Sequence, residues 1–227
     1  TNYKLSVTGG SDKSSYAASF SKLDQEGIIN TSKFERYAGN LRIDQTISDR
    51  LKAGMNLNVG FNQTGGVISA ASENANGRSG IVTNATLFSP VQGITNLPGA
   101  EYDADGRLLT LRDGDVANPN AILDNDINNG TAQNIFGNVY LQYKIADGLT
   151  FKSSLRLNTF GGKNKRYFSE KFGWGGTANG RAFVNTYQGR GIVTEQNLNY
   201  FKSFGEHAIN VTAVYEQQAT SFENLTA

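Results

Sequence analysis

The chain has 227 residues, with 21 Lys plus Arg against 20 Asp plus Glu, so a net charge of +1 gives no electrostatic footprint for nucleic acid. Cysteine is absent, which excludes a disulfide framework and thiolate metal sites. The mean hydropathy is −0.42 and no apolar run approaches the ~18 residues of a transmembrane helix, a test that says nothing of spanning strands, half of whose residues face a polar lumen.

In chain order, Tyr3, Leu5 and Val7 alternate with Lys4, Ser6 and Thr8, and GGSDKS supplies a turn. Tyr16, Ala18 and Phe20 then stand opposite Ser15, Ala17, Ser19 and Ser21. After LDQEGIINTSK comes the clearest stretch. Tyr37, Gly39, Leu41, Ile43 and Ile47 alternate with Arg36, Asn40, Arg42, Asp44 and Thr46. Leu51, Ala53, Met55, Leu57, Val59 and Phe61 alternate with Lys52, Gly54, Asn56, Asn58, Gly60 and Asn62. Successive side chains of a strand point to opposite faces, so these are two strands with one apolar and one polar face, joined as an antiparallel hairpin at Ser48-Asp49-Arg50. The unbroken alternation from Leu51 to Phe61 matches the roughly 9–11 residues a tilted strand needs to cross a bilayer.

From Thr64 to about Gln133 the pattern dissolves into Gly, Asn, Asp and Ser, with an apolar patch IVTNATLFSP and a turn at DADG. Alternation resumes with Ile135, Val139, Leu141, Tyr143 and Ile145, turns at Ala146-Asp147-Gly148, and returns through Leu149, Phe151, Leu155 and Leu157. A Gly- and aromatic-rich loop follows. A weaker strand carries Ile192, Leu198 and Tyr200, and the last carries Ile209, Val211, Ala213 and Tyr215. The connections near 9–13, 48–50, 146–148 and 203–206 are short, whereas those near 24–33, 65–132 and 161–189 are long. Strict alternation of short and long puts all tight turns on one rim of an up-and-down meander and all long loops on the other, the asymmetry of an outer-membrane barrel. Tyr37 and Phe61 at the long-loop ends, and Tyr143 and Phe151 beside a tight turn, suit its two aromatic girdles.

The pieces SVTGGSDKSSYAASF, LDQEGII, FERYAGNLRID, NPNAILD and VYEQQ, in that order from Tyr3 to about Gln218, resemble the SusC/RagA family of TonB-dependent outer-membrane transporters of the Bacteroidetes. The resemblance implies an integral outer-membrane barrel of roughly 22 strands around a plug, closed outside by a SusD-like surface lipoprotein. It also implies import of a glycan, or sometimes a peptide, driven by TonB. On this reading residues 1–227 are an internal, all-β, antiparallel up-and-down transmembrane segment of about eight strands, part of one barrel domain. Plug and TonB-contacting parts lie outside it, and the three long loops are external. The chain opens directly on strand-like sequence without Met, which reads as an internal segment.

Two other architectures would produce similar alternation: a complete small eight-stranded barrel with a structural or adhesive role, and a soluble β-sandwich that binds glycans. The first predicts pairing of the first and last strands, the second apolar faces packed on each other.

Candidate contacts follow from the barrel reading. Tyr167, Phe168, Phe172 and Trp174 stand at the external rim, where flat rings suit either a sugar or a lid protein. Asn40, Arg42, Asn56, Asn58, Arg156 and Asn158 share the polar parity and are candidate lumen-lining residues, for which wall polarity or contact with a plug is the plainer reading. DNDINNG places Gly130 and Ile135 out of step with a calcium loop, and a turn-rich loop is expected there; Asp103, Asp105 and Gly106 read as a β-turn. His207 stands alone beside a tight turn, which leaves a His-based metal site or a Ser-His-Asp triad without partners. FGWGGTANGR lacks the strand–helix setting of a phosphate loop. No cofactor, metal or catalytic residue is expected; the expected partners are membrane lipid, a lipoprotein, TonB and a solute.

Overall fold

A computed structural model describes residues 1–67, 80–88, 101–102, 108–111, 116–171 and 178–227. In chain order the elements are β1 (Asn2–Ser11), β2 (Ser14–Glu26), β3 (Lys33–Thr46), β4 (Leu51–Gly65), α1 (Ile81–Leu87), β5 (Glu101–Tyr102), β6 (Leu108–Leu111), β7 (Val116–Ala117), α2 (Pro119–Asn125), β8 (Ile127–Ala146), β9 (Leu149–Phe168), β10 (Arg181–Phe204) and β11 (His207–Thr226). Among the described residues, β1-β2-β3-β4-β8-β9-β10-β11 form one eight-stranded sheet, each strand antiparallel to its neighbours, and β5-β6-β7 form a small second sheet. This is the expected all-β, up-and-down architecture.

The sheet is open: β1 pairs with β2 and β11 with β10, and neither has a second neighbour among the described residues. A closed eight-stranded barrel is therefore not what forms. Nor, among the described residues, do two apolar faces pack together. The apolar parity stays uncovered, with Leu5, Val7, Phe20, Ile43, Val59, Ile135, Val139, Leu141 and Leu155 all exposed. The register joins them across the sheet: Leu41 opposes Leu57, Ile43 opposes Met55, Met55 opposes Val139 and Val139 opposes Leu155. An apolar face this wide needs a nonaqueous cover. Its limits on β4 and β8, Leu51 to Phe61 and Ile135 to Ile145, match the span of a bilayer's hydrocarbon core. Tyr37 pairs with Phe61 at one margin, rings 6.4 Å apart with the Lys22 ammonium 5.6 Å from Tyr37, and Tyr143 opposes Phe151 at the other.

All tight connections (12–13, 47–50, 147–148 and 205–206) lie on one rim, and the strand ends that lead from β2 to β3, from β4 to β8 and from β9 to β10 lie on the other. The strands overrun the loop limits expected from alternation. β8 begins at Ile127 inside the expected 65–132 loop, and β9 and β10 invade 161–189 as far as Phe168 and Arg181. The ladder hydrogen bonds persist there, with Lys163 paired to Thr186 and Asn129 to Lys165. The alternation fades because both faces are polar beyond the apolar band.

The buried apolar cluster sits at the long-loop rim, not in the sheet: Val67, Ile81, Ala117, Ala121 and Ile122, with Ile29 and Leu123 against it. NPNAILD builds it. Asn118 caps α2, its side chain accepting the Asn120 amide at 3.0 Å, Pro119 occupies the first turn without a missing donor, and Ala121 and Ile122 are buried. Asn84 of α1 ties in from the other side, donating to the Gly80 carbonyl at 3.0 Å and accepting the Ala117 amide at 2.8 Å.

The polar face and the rim as a candidate solute path

The register sorts the polar-face residues into rows across the sheet. One row runs Ser19, Asn40, Asn58, Phe136, Asn158, Gly191. The next toward the tight turns runs Ala17, Arg42, Asn56, Asn138, Arg156, Val193, Gln218, and the next Ser15, Asp44, Gly54, Tyr140, Ser154, Glu195, Glu216. The six candidate lumen residues thus fall in two adjacent rows. Asn40 donates to Ser19 Oγ at 3.2 Å and Asn58 to Asn56 Oδ1 at 3.4 Å.

Charges in these rows are paired within the wall. Arg42 Nε donates to Asp44 Oδ2 at 2.8 Å, and Tyr140 reaches over Gly54 to donate its hydroxyl to Asp44 Oδ1 at 2.8 Å. The Lys152 ammonium stands 4.6 Å from the Tyr140 ring. Glu195 and Glu216 oppose each other directly across β10 and β11, and Arg156 bonds both, at 3.0 and 2.6 Å. Arg42 and Arg156 are therefore already engaged. Like charges directly opposite one another in a sheet destabilise it by up to about 1 kcal/mol. R156Q is accordingly expected to speed amide exchange along the β10–β11 ladder, and E216Q in the same chain to restore it.

Toward the long loops the polar face carries rings that the sequence reading did not single out. Phe136 lies between Asn58 and Asn158, and Phe160 stacks on Phe222 (centroids 6.2 Å apart, planes at 30°) across Gly189, where a Cβ would fall 2.4 Å from Phe160. All three rings are exposed. The available signal was parity: in NIFGNVY and LRLNTF these Phe residues occupy the polar phase of strands whose apolar phase is already filled.

The rim aromatics do not form one cluster. Tyr167 and Phe168 end β9 and, as neighbours in a strand, point to opposite faces. Tyr167 donates to a Glu170 carboxylate oxygen, while Phe168 is buried edge-on against Phe183, centroids 6.2 Å apart, and offers no free face. Phe172 and Trp174 lie outside the described residues, as do Asp103, Asp105, Gly106 and most of FGWGGTANGR. His207 opens β11 in an exposed position.

DNDINNG is a helix-to-strand junction rather than a loop. Asp126 caps the C-terminus of α2 and accepts the Ser169 amide at 2.9 Å, while Lys171 Nζ donates to Asn125 Oδ1 at 3.0 Å. Together they latch α2 to the start of the β9–β10 connection. An open cavity of about 390 Å³ lies beside it, lined by Lys33, Glu35, Gln63, Asp124, Asp126 and Asn129 among others. Burial pushes the Asp126 carboxyl up to about 6, against the opposing pull of the Ser169 amide. With the folded value raised, the latch is strongest below about pH 4, weakens as pH climbs through about 6, and is constant above. The swing is on the order of 2–3 kcal/mol. Exchange protection of the Ser169 amide should follow that curve, and D126N should flatten it.

No family model matches the chain. It is 28% identical to TonB-dependent receptor P3 of Formosa agariphila, over all of this chain and 22% of that protein. It is 27% identical to TonB-dependent receptor P26 of the same organism, over 91% of this chain and 20% of that protein. The chain thus spans about a fifth of the length of the curated relatives it matches. The RagAB peptide transporter superposes on all of it with a TM-score of 0.70, at 20% identity and 25% coverage of that chain. The open form of Fiu, the ferric-catecholate import receptor of E. coli K12, gives 0.54 at 12% identity, over 97% of this chain and 32% of that one. At these identities the structures speak for the fold.

Proposed function

We propose that this chain, a SusC/RagA-like stretch of TonB-dependent receptor wall, serves a transporter that imports a nutrient across the outer membrane. The observation that carries the reading is one continuous sheet with an uncovered apolar face of bilayer height and, behind it, a polar face of amides and exposed rings. Lipid covers the first, and the second lines the solute path. With Arg42 and Arg156 engaged by carboxylates, the recognition groups of that face are the amides of Asn40, Asn58 and Asn158, the first two of which also hydrogen-bond Ser19 and Asn56, and the exposed rings of Phe136, Phe160 and Phe222.

Rings beside amides suit an oligosaccharide: the C–H face of a pyranose lies on Phe, and its hydroxyls bond Asn. A peptide is the second reading, favoured by the fold shared with the RagAB peptide transporter. A SusD-like lipoprotein closes the long-loop rim near Tyr167 and the loop bearing Phe172 and Trp174, and TonB acts through parts of the whole transporter beyond this wall. No bond of the solute is broken, so no catalytic residue is assigned.

The test is uptake by cells expressing the full-length transporter. F136A with F160A is expected to lower oligosaccharide uptake roughly tenfold at an unchanged outer-membrane level, about one ring contact's worth per substitution. Loss of peptide uptake with oligosaccharide uptake intact would move the reading to peptides. Unchanged uptake of both would overturn the solute path.

A further inference from the structure

The apolar parity is not apolar throughout. On β9 it runs Leu149, Phe151, Ser153, Leu155, Leu157, and on β10 Ile192, Thr194, Gln196, Leu198, Tyr200. On β11 it runs Ile209, Val211, Ala213, Tyr215, Gln217, Ala219. Each run has the roughly 9–11 residues that cross a bilayer, and its polar members fall inside it. The register brings them together: Ser153 opposes Gln196 and Thr194 opposes Gln217, in two adjacent rows. Apolar rows close this island off on both sides. Leu157, Ile192 and Ala219 lie toward the long loops, and Phe151, Leu198 and Ala213 toward the tight turns. Placing the island at headgroup level would leave β10 no more than two apolar residues of that face in the hydrocarbon, too few to span it.

Among the described residues the side chains of Ser153, Thr194, Gln196 and Gln217 have no hydrogen-bond partner. Other amides of the same parity are held. Gln45 donates to the Thr46 carbonyl at 3.1 Å, and Gln188 to Glu223 at 2.7 Å. An amide or hydroxyl left unpartnered in hydrocarbon is costly. Lipid chains offer the island neither donor nor acceptor, and the apolar rows above and below keep headgroups from it. Its cover is therefore a protein surface at the same depth.

We propose that the β9–β11 flank is the contact between two copies of the transporter lying side by side in the membrane, with Thr194, Gln196 and Gln217 hydrogen-bonded across it. The island is neutral, so a charged partner would find no counter-charge there. Carboxamides donate and accept alike, and a copy related by a two-fold axis presents the same groups in return. Ala213 and Ala219, flanking Tyr215 and Gln217 on β11, let a second wall approach closely. The contact rests on the reading of the apolar face as lipid-covered, and assigns one flank of that face to protein.

The test is disulfide cross-linking of the full-length transporter, otherwise free of cysteine, in the outer membrane of the expressing cell. Cysteine replaces Thr194, Gln196 and Gln217 in turn, and Leu57 as a lipid-facing control. At least one island site is expected to give covalent dimers, and L57C none. In phosphatidylcholine vesicles, T194V/Q196L/Q217L should weaken self-association about thirtyfold, read as energy transfer between labelled copies on dilution with lipid, while T194S keeps it. Dimers at none of the island sites, dimers equally at Leu57, or unchanged association of the triple variant would overturn the contact. So would cross-linking of the island sites only to a different protein. Failure of the underlying reading shows separately, as modification of L57C by a water-soluble maleimide.

Discussion

Arginine at Leu57 is expected to destabilise the folded protein in a bilayer by about 2–4 kcal/mol, whereas arginine at Asn58, the next residue, should change stability by less than ~0.5 kcal/mol. Leu57 lies mid-way along the apolar band between Leu41 and Gly137, with hydrocarbon as the only cover available to a guanidinium. Asn58 faces the polar side between Asn40 and Phe136, where water and amides solvate a charge. Urea unfolding of the full-length protein in lipid vesicles measures both. Because strand faces alternate strictly, the comparison separates side from depth. Equal effects for the two variants would mean that the apolar face does not meet lipid.

The second large effect is expected at Gly54. Tyr140 crosses β4 at this residue to reach Asp44 on β3, and a Cβ built there falls 2.3 Å from the Tyr140 ring and 2.8 Å from Asp44 Oδ1. G54V should therefore destabilise the β3–β4–β8 junction by about 2–3 kcal/mol, through overpacking and loss of the Tyr140–Asp44 bond. Y140F removes the bond alone and should destabilise by about 1–2 kcal/mol. Since both act on one contact, Tyr140→Ser in the G54V chain should recover part of the loss instead of adding to it. Strict additivity would show that ring and glycine are independent and that the crossing does not matter.

How much of this was legible in the sequence depended on whether lipid imposed a pattern. Where it did, from Tyr37 to Phe61 and from Ile135 to Leu157, alternation alone placed strands, faces and turn ends, and put Asn40, Arg42, Asn56, Asn58, Arg156 and Asn158 on one face. Above the band nothing forces alternation, so Gly162 to Phe168 read as loop although the ladder continues through them. α2 was hidden for another reason. Seven residues are too few to show a helical period, and the legible mark was the cap, Asn118 followed by Pro119. The pairings of Arg156 with two glutamates and of Tyr140 with Asp44 depend on register across strands 39 to 96 residues apart, which no local pattern encodes. Phe168 illustrates the limit: an aromatic residue in a polar, Gly-rich stretch looked exposed, and Phe183 covers it.

The stretch of β10 from Arg181 to Arg190 stands wholly above the apolar band. Ten residues at about 3.3 Å each, tilted about 45°, lift the rim roughly 20–25 Å clear of the hydrocarbon. That height exceeds the ~8 Å over which charge is felt at physiological ionic strength. On the import reading proposed above, a solute arriving at the mouth would meet the field of these strands before that of the membrane surface.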